Sequence, residues 1–328
     1  MIFLRRRSIR RCIKNASTSL IAFTIMFIFT SRSPEDEFTR TGRQVAARIS
    51  TGLGLDSLEL SYLNLKSPGI RQAVYKTALK GPGKIICAGA AGLMLPGHGI
   101  SESLPSELRG IIRDNPALDL TLASPGIGAG EMAMLIRRSL EHAFNGPGGM
   151  EERPSEEVTG LEDAGVVLIC SPDYDAVTGF SGAASNFSSV SARLSDMSKA
   201  AHEEGGRSGS TDFMRAVASS LEGFYAVEAG FMDFAVPDVS DAAAKLVDAG
   251  STHIIATGVP SLLHRHPNSL SGPSRAIERL RRSLPDISII YVKPDPEPIA
   301  GSMADILMAR ILEAERSGKS LKGMLRGL

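Results

Sequence analysis

One interval runs through this chain. Pro68 recurs as Pro237, Ile85-Ile86 as Ile254-Ile255, Pro116 as Pro285 and Pro125 as Pro294, all at one identical spacing. His98 and His266, and Pro105 and Pro273, keep that spacing to within one position. A chain of 328 residues that punctuates itself at one fixed spacing reads as two copies of one unit, each of ordinary domain size. Any fold for the first half must therefore serve the second.

Periodicity and breakers outline the unit. In the first copy an apolar run over 20–29 is followed by a helix pattern over 34–50, whose acidic start suits the helix dipole. Strand patterns follow over 58–65, 84–91 and 118–123, separated by helices over 68–79 and 106–114 and closed by a helix over 129–144. Asn115-Pro116 and Gly81-Pro82-Gly83 are the breaks. The pattern restarts after a polar Gly/Pro-rich linker. Strands are expected over 165–170, 224–231, 253–257 and 287–292, with helices over 237–249, up to Leu284, and over 298–315. Strand-helix alternation with short loops implies parallel strands and right-handed crossovers. The expectation is an α/β protein of two similar lobes, each a four-stranded mainly parallel sheet flanked by helices, facing across a cleft. The boundaries are a basic extension over 1–16, a first repeat over 17–145, a linker over 146–162, a second repeat over 163–316 and a basic tail over 317–328. The second copy is longer between its first two strands, with a Ser/Gly/Ala-rich insertion over about 178–210.

Composition narrows the function classes. Apolar residues at 43% and charged residues at 22% suit a globular core. The formal net charge is zero and there is no Trp, which argues against a nucleic-acid-binding surface or base-stacking platform. Cys12, Cys87 and Cys170 are far apart and form no CxxC pair, so neither a thiolate zinc site nor a disulfide framework is expected. That usage fits a reducing, cytoplasmic setting. Arg5-Arg6-Arg7 and Arg10-Arg11 before the apolar run resemble an export signal or anchor. The run is short for a membrane span and rich in Phe, Ile and Thr, so a buried strand is the preferred reading and a membrane association is not expected.

Two loops carry the residues of chemical interest. Leu93-Met94-Leu95-Pro96-Gly97-His98-Gly99 follows the strand over 84–91, and Leu262-Leu263-His264-Arg265-His266-Pro267 follows its counterpart. In open α/β sheets ligands bind at the carboxyl ends of the strands. Imidazoles there can ligate a metal or move a proton. His264 and His266 point to the same side only if their loop is extended; a solvated turn is the alternative. Asp233 follows another strand and reads equally as a cap or as a partner to those groups. Gly126-Ile127-Gly128-Ala129-Gly130 opens a helix, where an anion site or a tight turn is possible, the turn being preferred. His142, His202 and His253 read as surface or element-end residues.

The order of these motifs resembles the class II tetrapyrrole chelatases, the sirohydrochlorin cobalto- and ferrochelatases, in their two-copy form. Leu93-Met94-Leu95-Pro96-Gly97-His98 resembles the family's second histidine motif. Gly230-Phe231-Met232-Asp233-Phe234-Ala235-Val236-Pro237 resembles its Phe-Leu-Glu…Pro motif, with Asp233 in the acidic place; Asn64 fills that place in the first copy. The resemblance implies a chelatase-like fold and insertion of cobalt or iron into a sirohydrochlorin-type tetrapyrrole, in cobalamin or sirohaem synthesis. It implies no organic cofactor: the divalent metal is a substrate. It implies His98, His264 and His266 as metal ligands, His98, His266 and Asp233 as catalytic groups, and Arg32 and Arg265 as candidates for the substrate carboxylates. The family's first motif, His-Gly-Ser-Arg, is represented by Phe29-Thr30-Ser31-Arg32 and by Cys170-Ser171-Pro172-Asp173, without a histidine in either copy. A chelatase-like protein that binds metal or tetrapyrrole without turnover is therefore the second expectation, and a pair of periplasmic-type binding lobes behind an N-terminal anchor the third.

Overall fold

The computed structural model describes residues 23–29, 37–55, 58–62, 68–80, 84–89, 100–123, 127–145, 164–170, 209–221, 224, 226–232, 237–258, 273–293 and 298–317. In the first copy the elements are β1 (Phe23–Phe29), α1 (Glu37–Leu53), β2 (Leu58–Tyr62), α2 (Ile70–Ala78), β3 (Lys84–Gly89), α3 (Ile100–Asp114), β4 (Leu120–Leu122) and α4 (Ala129–Asn145). In the second they are β5 (Gly165–Cys170), α5 (Gly209–Ser220), β6 (Ala226–Phe231), α6 (Val239–Asp248), β7 (His253–Gly258), α7 (Pro273–Ser283), β8 (Ser288–Val292) and α8 (Ala300–Ser317).

The two sheets have the same wiring. One is ordered β2-β1-β3-β4 and the other β6-β5-β7-β8, with every pairing parallel. The apolar run over 20–29 thus yields a central strand, hydrogen-bonded to β2 on one side and β3 on the other. Both neighbours of β3 and of β5 are strands, and side chains over 85–89 and 165–170 are buried on both faces. Continuous apolar runs are what such strands require. Among the described residues no helix is long and apolar enough to cross a membrane.

The repeat interval reappears in the packing. Ile70 and Val239, Ala73 and Ala242, Ile85 and Ile254, Leu108 and Ile277, and Leu120 and Ile289 are buried pairs at that spacing, each set in its own core. It reappears in an ion pair: Lys76 meets Glu59 at 2.9 Å, and Lys245 meets Glu228 at 3.8 Å. The first crossover is where the copies differ. Ile25 pairs with Leu58, and Val166 with Val227, so the path from the first strand to the second is nearly twice as long in the second copy.

Two local features depart from the sequence reading. Helix α3 begins at Ile100, so Pro105 lies inside it rather than closing the loop before it. Helix α5 lies outside the predicted elements. Its signal is Met214, Val217, Ala218 and Leu221, all buried at helical spacing.

Compactness divides the chain differently from sequence order. One unit comprises Met1–Ala90, Leu104–Pro125 and Ala304–Leu328; the other comprises Ala91–Ser103 and Gly126–Met303. The second unit holds the second sheet together with α4, which packs on α5. Within it Arg138 of α4 donates to the Ser302 hydroxyl. The first unit holds the first sheet and most of α8, where Met308 closes on Gly52 of α1.

Candidate functional site

Strand order fixes where a ligand site belongs. From β1 the chain goes to β2 on one side, then returns to β3 on the other. The strand order therefore reverses between β1 and β3, and ligands in open α/β sheets bind at the carboxyl ends of the strands beside such a switch point. In the second sheet the switch point lies between β5 and β7. The four connections concerned are residues 30–36, 90–99, 171–208 and 259–272.

Five of the six sequence-derived site residues fall on these connections. Arg32 follows β1, His98 follows β3, and His264, Arg265 and His266 follow β7. All five lie outside the described residues, as does Asp233. Their starting points are described. β3 delivers its connection from Gly89, beside Ile28 of β1, and β7 from Gly258, beside Ile169 of β5. Chain position sets His98 two residues ahead of α3.

In the sequence Asp233 stands between residues tied by backbone hydrogen bonds. The Met232 N–H donates to the Cys170 carbonyl at 2.8 Å, continuing the β5–β6 ladder one step past the strand. The Phe231 N–H donates to the Pro237 carbonyl at 2.8 Å, and Phe231 forms a parallel bridge with Asp238. Asp238 then caps α6: its carboxylate accepts from the Asp241 N–H at 2.7 Å. Residues 233–236 lie between these bonds in the sequence. No sequence motif signals this bracing, because it rests on backbone groups, one pair far apart in the chain and the other joined across a turn.

Cys170 occupies the first-motif slot of the second copy. It is buried, and its thiol donates to the Leu168 carbonyl at 3.5 Å. Burial pushes its pKa far up, as it pushes that of Cys87 up to about 12. Burial of this kind disfavours the thiolate. Among the described residues no group of three His, Cys, Asp or Glu could hold a metal ion.

The glycine run before α4 is a cap. The Gly128 N–H donates to Glu131 Oε2 at 2.8 Å, so the protein's own carboxylate occupies that helix start. His253 pairs with the Thr252 hydroxyl at 2.8 Å at the beginning of β7, the opposite end of the strand from the switch point. His142 is exposed on α4.

No family model matches the chain, and no curated protein matches it in sequence. Solved structures do match. SirB from Bacillus subtilis with Fe3+ aligns with a TM-score of 0.58 at 14% identity, over 89% of this chain and 95% of that one. The sirohydrochlorin chelatase SirB from Bacillus subtilis subspecies spizizenii, in complex with cobalt, aligns with a TM-score of 0.53 at 14% identity over the same shares. The chain has a chelatase-like fold.

Proposed function

We propose that the protein inserts a divalent metal, cobalt or iron, into a sirohydrochlorin-type tetrapyrrole, as a step of cobalamin or sirohaem synthesis, using a two-copy chelatase-like chain. The observation that carries this reading is the coincidence of sequence and topology. In chain order the histidine-bearing segments follow β3 and β7, each a strand that borders a switch point, on a fold shared with structures holding Fe3+ and cobalt.

The chemistry asked of the residues is modest. A divalent ion enters as two pyrrole N–H protons leave, and the macrocycle keeps its four nitrogens. His98, His264 and His266 supply imidazole ligands that hold the incoming ion, a donor type suited to cobalt and iron. A neutral imidazole of His98 or His266 accepts a pyrrole proton. In the sequence His98 stands two residues before the amino end of α3. Asp233 orients an imidazole or receives the proton. Arg32 and Arg265 pair with the substrate's carboxylates. The tetrapyrrole is the partner, and no organic cofactor takes part.

The test is insertion itself. Purified protein is mixed with sirohydrochlorin and Co2+ or Fe2+, and the absorbance change is followed beside a His98→Ala variant. Acceleration over the metal-only control, lost by about tenfold or more in the variant, is the expected outcome. No acceleration by the wild type overturns the enzyme reading.

Cys170 favours a second reading. With Phe29 and a buried, neutral thiol in the two first-motif slots, the chain lacks that pair of histidines. A protein that binds metal or tetrapyrrole without turnover would show tight binding and no insertion in the same assay.

A further inference from the structure

We draw no further inference here: the strongest candidate, the exposed basic face of α7 made by Arg275, Arg279 and Arg282, carries nothing, because nothing among the described residues shows what covers it.

Discussion

Residue 230 and residue 61 occupy the same place in the two copies, and a methyl there should have opposite consequences. Gly230 lies near the end of β6, under the start of α6. A Cβ added to it would stand 2.7 Å from Val239 Cα, 3.1 Å from the Ala242 Cβ and 3.1 Å from the Asp238 carbonyl oxygen. Two of those three atoms are backbone, so no rotamer change relieves the contact. Restoring van der Waals separation requires the start of α6 to retreat by about 1 Å. Overpacking of this kind costs about 1–3 kcal/mol, and the lower entropy of an unfolded chain with alanine returns about 0.4–1 kcal/mol. The clash wins, leaving Gly230→Ala destabilised by about 1–2 kcal/mol. In the first copy Ser61 already carries a Cβ, and its buried hydroxyl has no hydrogen-bond partner among the described residues. Ser61→Ala removes that orphan and should stabilise by about 1 kcal/mol, since a desolvated, unpaired hydroxyl costs about 1–3 kcal/mol. Urea unfolding of both variants at unchanged slope measures the pair. Gly230→Ala also disturbs the backbone bonds that flank Asp233 in the sequence, so insertion activity should fall further than the fraction folded. A Gly230→Ala protein as stable as wild type, or a Ser61→Ala protein weakened by about 1 kcal/mol, would refute the packing argument.

Glu59 gives a pH-dependent outcome. Burial pushes its pKa up, but hydrogen bonds and charge from Lys80 and Lys76 outweigh that and hold it below the ordinary carboxylate value. A folded-state pKa held low contributes stability that is present above the unfolded value and is lost as pH falls through the folded one. Glu59→Gln should therefore be less stable than wild type at about pH 7, with the gap closing below about pH 4 in parallel urea titrations. Cys87 and Cys170 should resist iodoacetamide at about pH 8 in the folded protein and react once urea unfolds it, as mass spectrometry of the peptides would show. Modification of Cys170 in the folded state would reopen it as a stand-in for the missing histidine.

The fold was legible because its determinants are local and doubled. Val166, Val167, Leu168 and Ile169 announce a buried strand by themselves, and punctuation recurring at one spacing tells which elements correspond. Helix α5 was hidden because its four apolar contacts follow directly on a Ser/Gly-rich stretch that carries no periodicity. Pro105 misled because proline favours a first helical turn, and here the helix begins five residues before it. The division into compact units depends on contacts far apart in the chain. Whether α4 packs with the sheet that precedes it or with α5 is a matter of long-range contact, and its apolar face reads the same in either case. The site residues were named from loop motifs, and they lie outside the described residues. What the structure supplies for them is the strand ends from which their segments depart.

Those strand ends bear on how a chelatase missing its first histidine pair would work. In an α/β sheet a residue at the end of a central strand lies under the switch point, while the connection that follows reaches over it. Cys170, at the former position, is buried, and its thiol donates to the Leu168 carbonyl of its own strand. On the proposed reading the histidine donors come from the connections after β3 and β7, which carry one histidine in the first copy and two in the second. That inequality matches the other differences between the copies: the longer connection after β5, the hydroxyl of Thr257 in place of Ala88, and the acid of Asp233 in place of Asn64. These departures lie at the carboxyl edge of the second sheet or on a connection leaving it, whereas buried pairs such as Ile70 and Val239, Ile85 and Ile254, and Leu120 and Ile289 are apolar in both halves. Two halves that share buried apolar pairs and differ at one edge fit the proposed reading with the second half carrying the greater share of the chemistry.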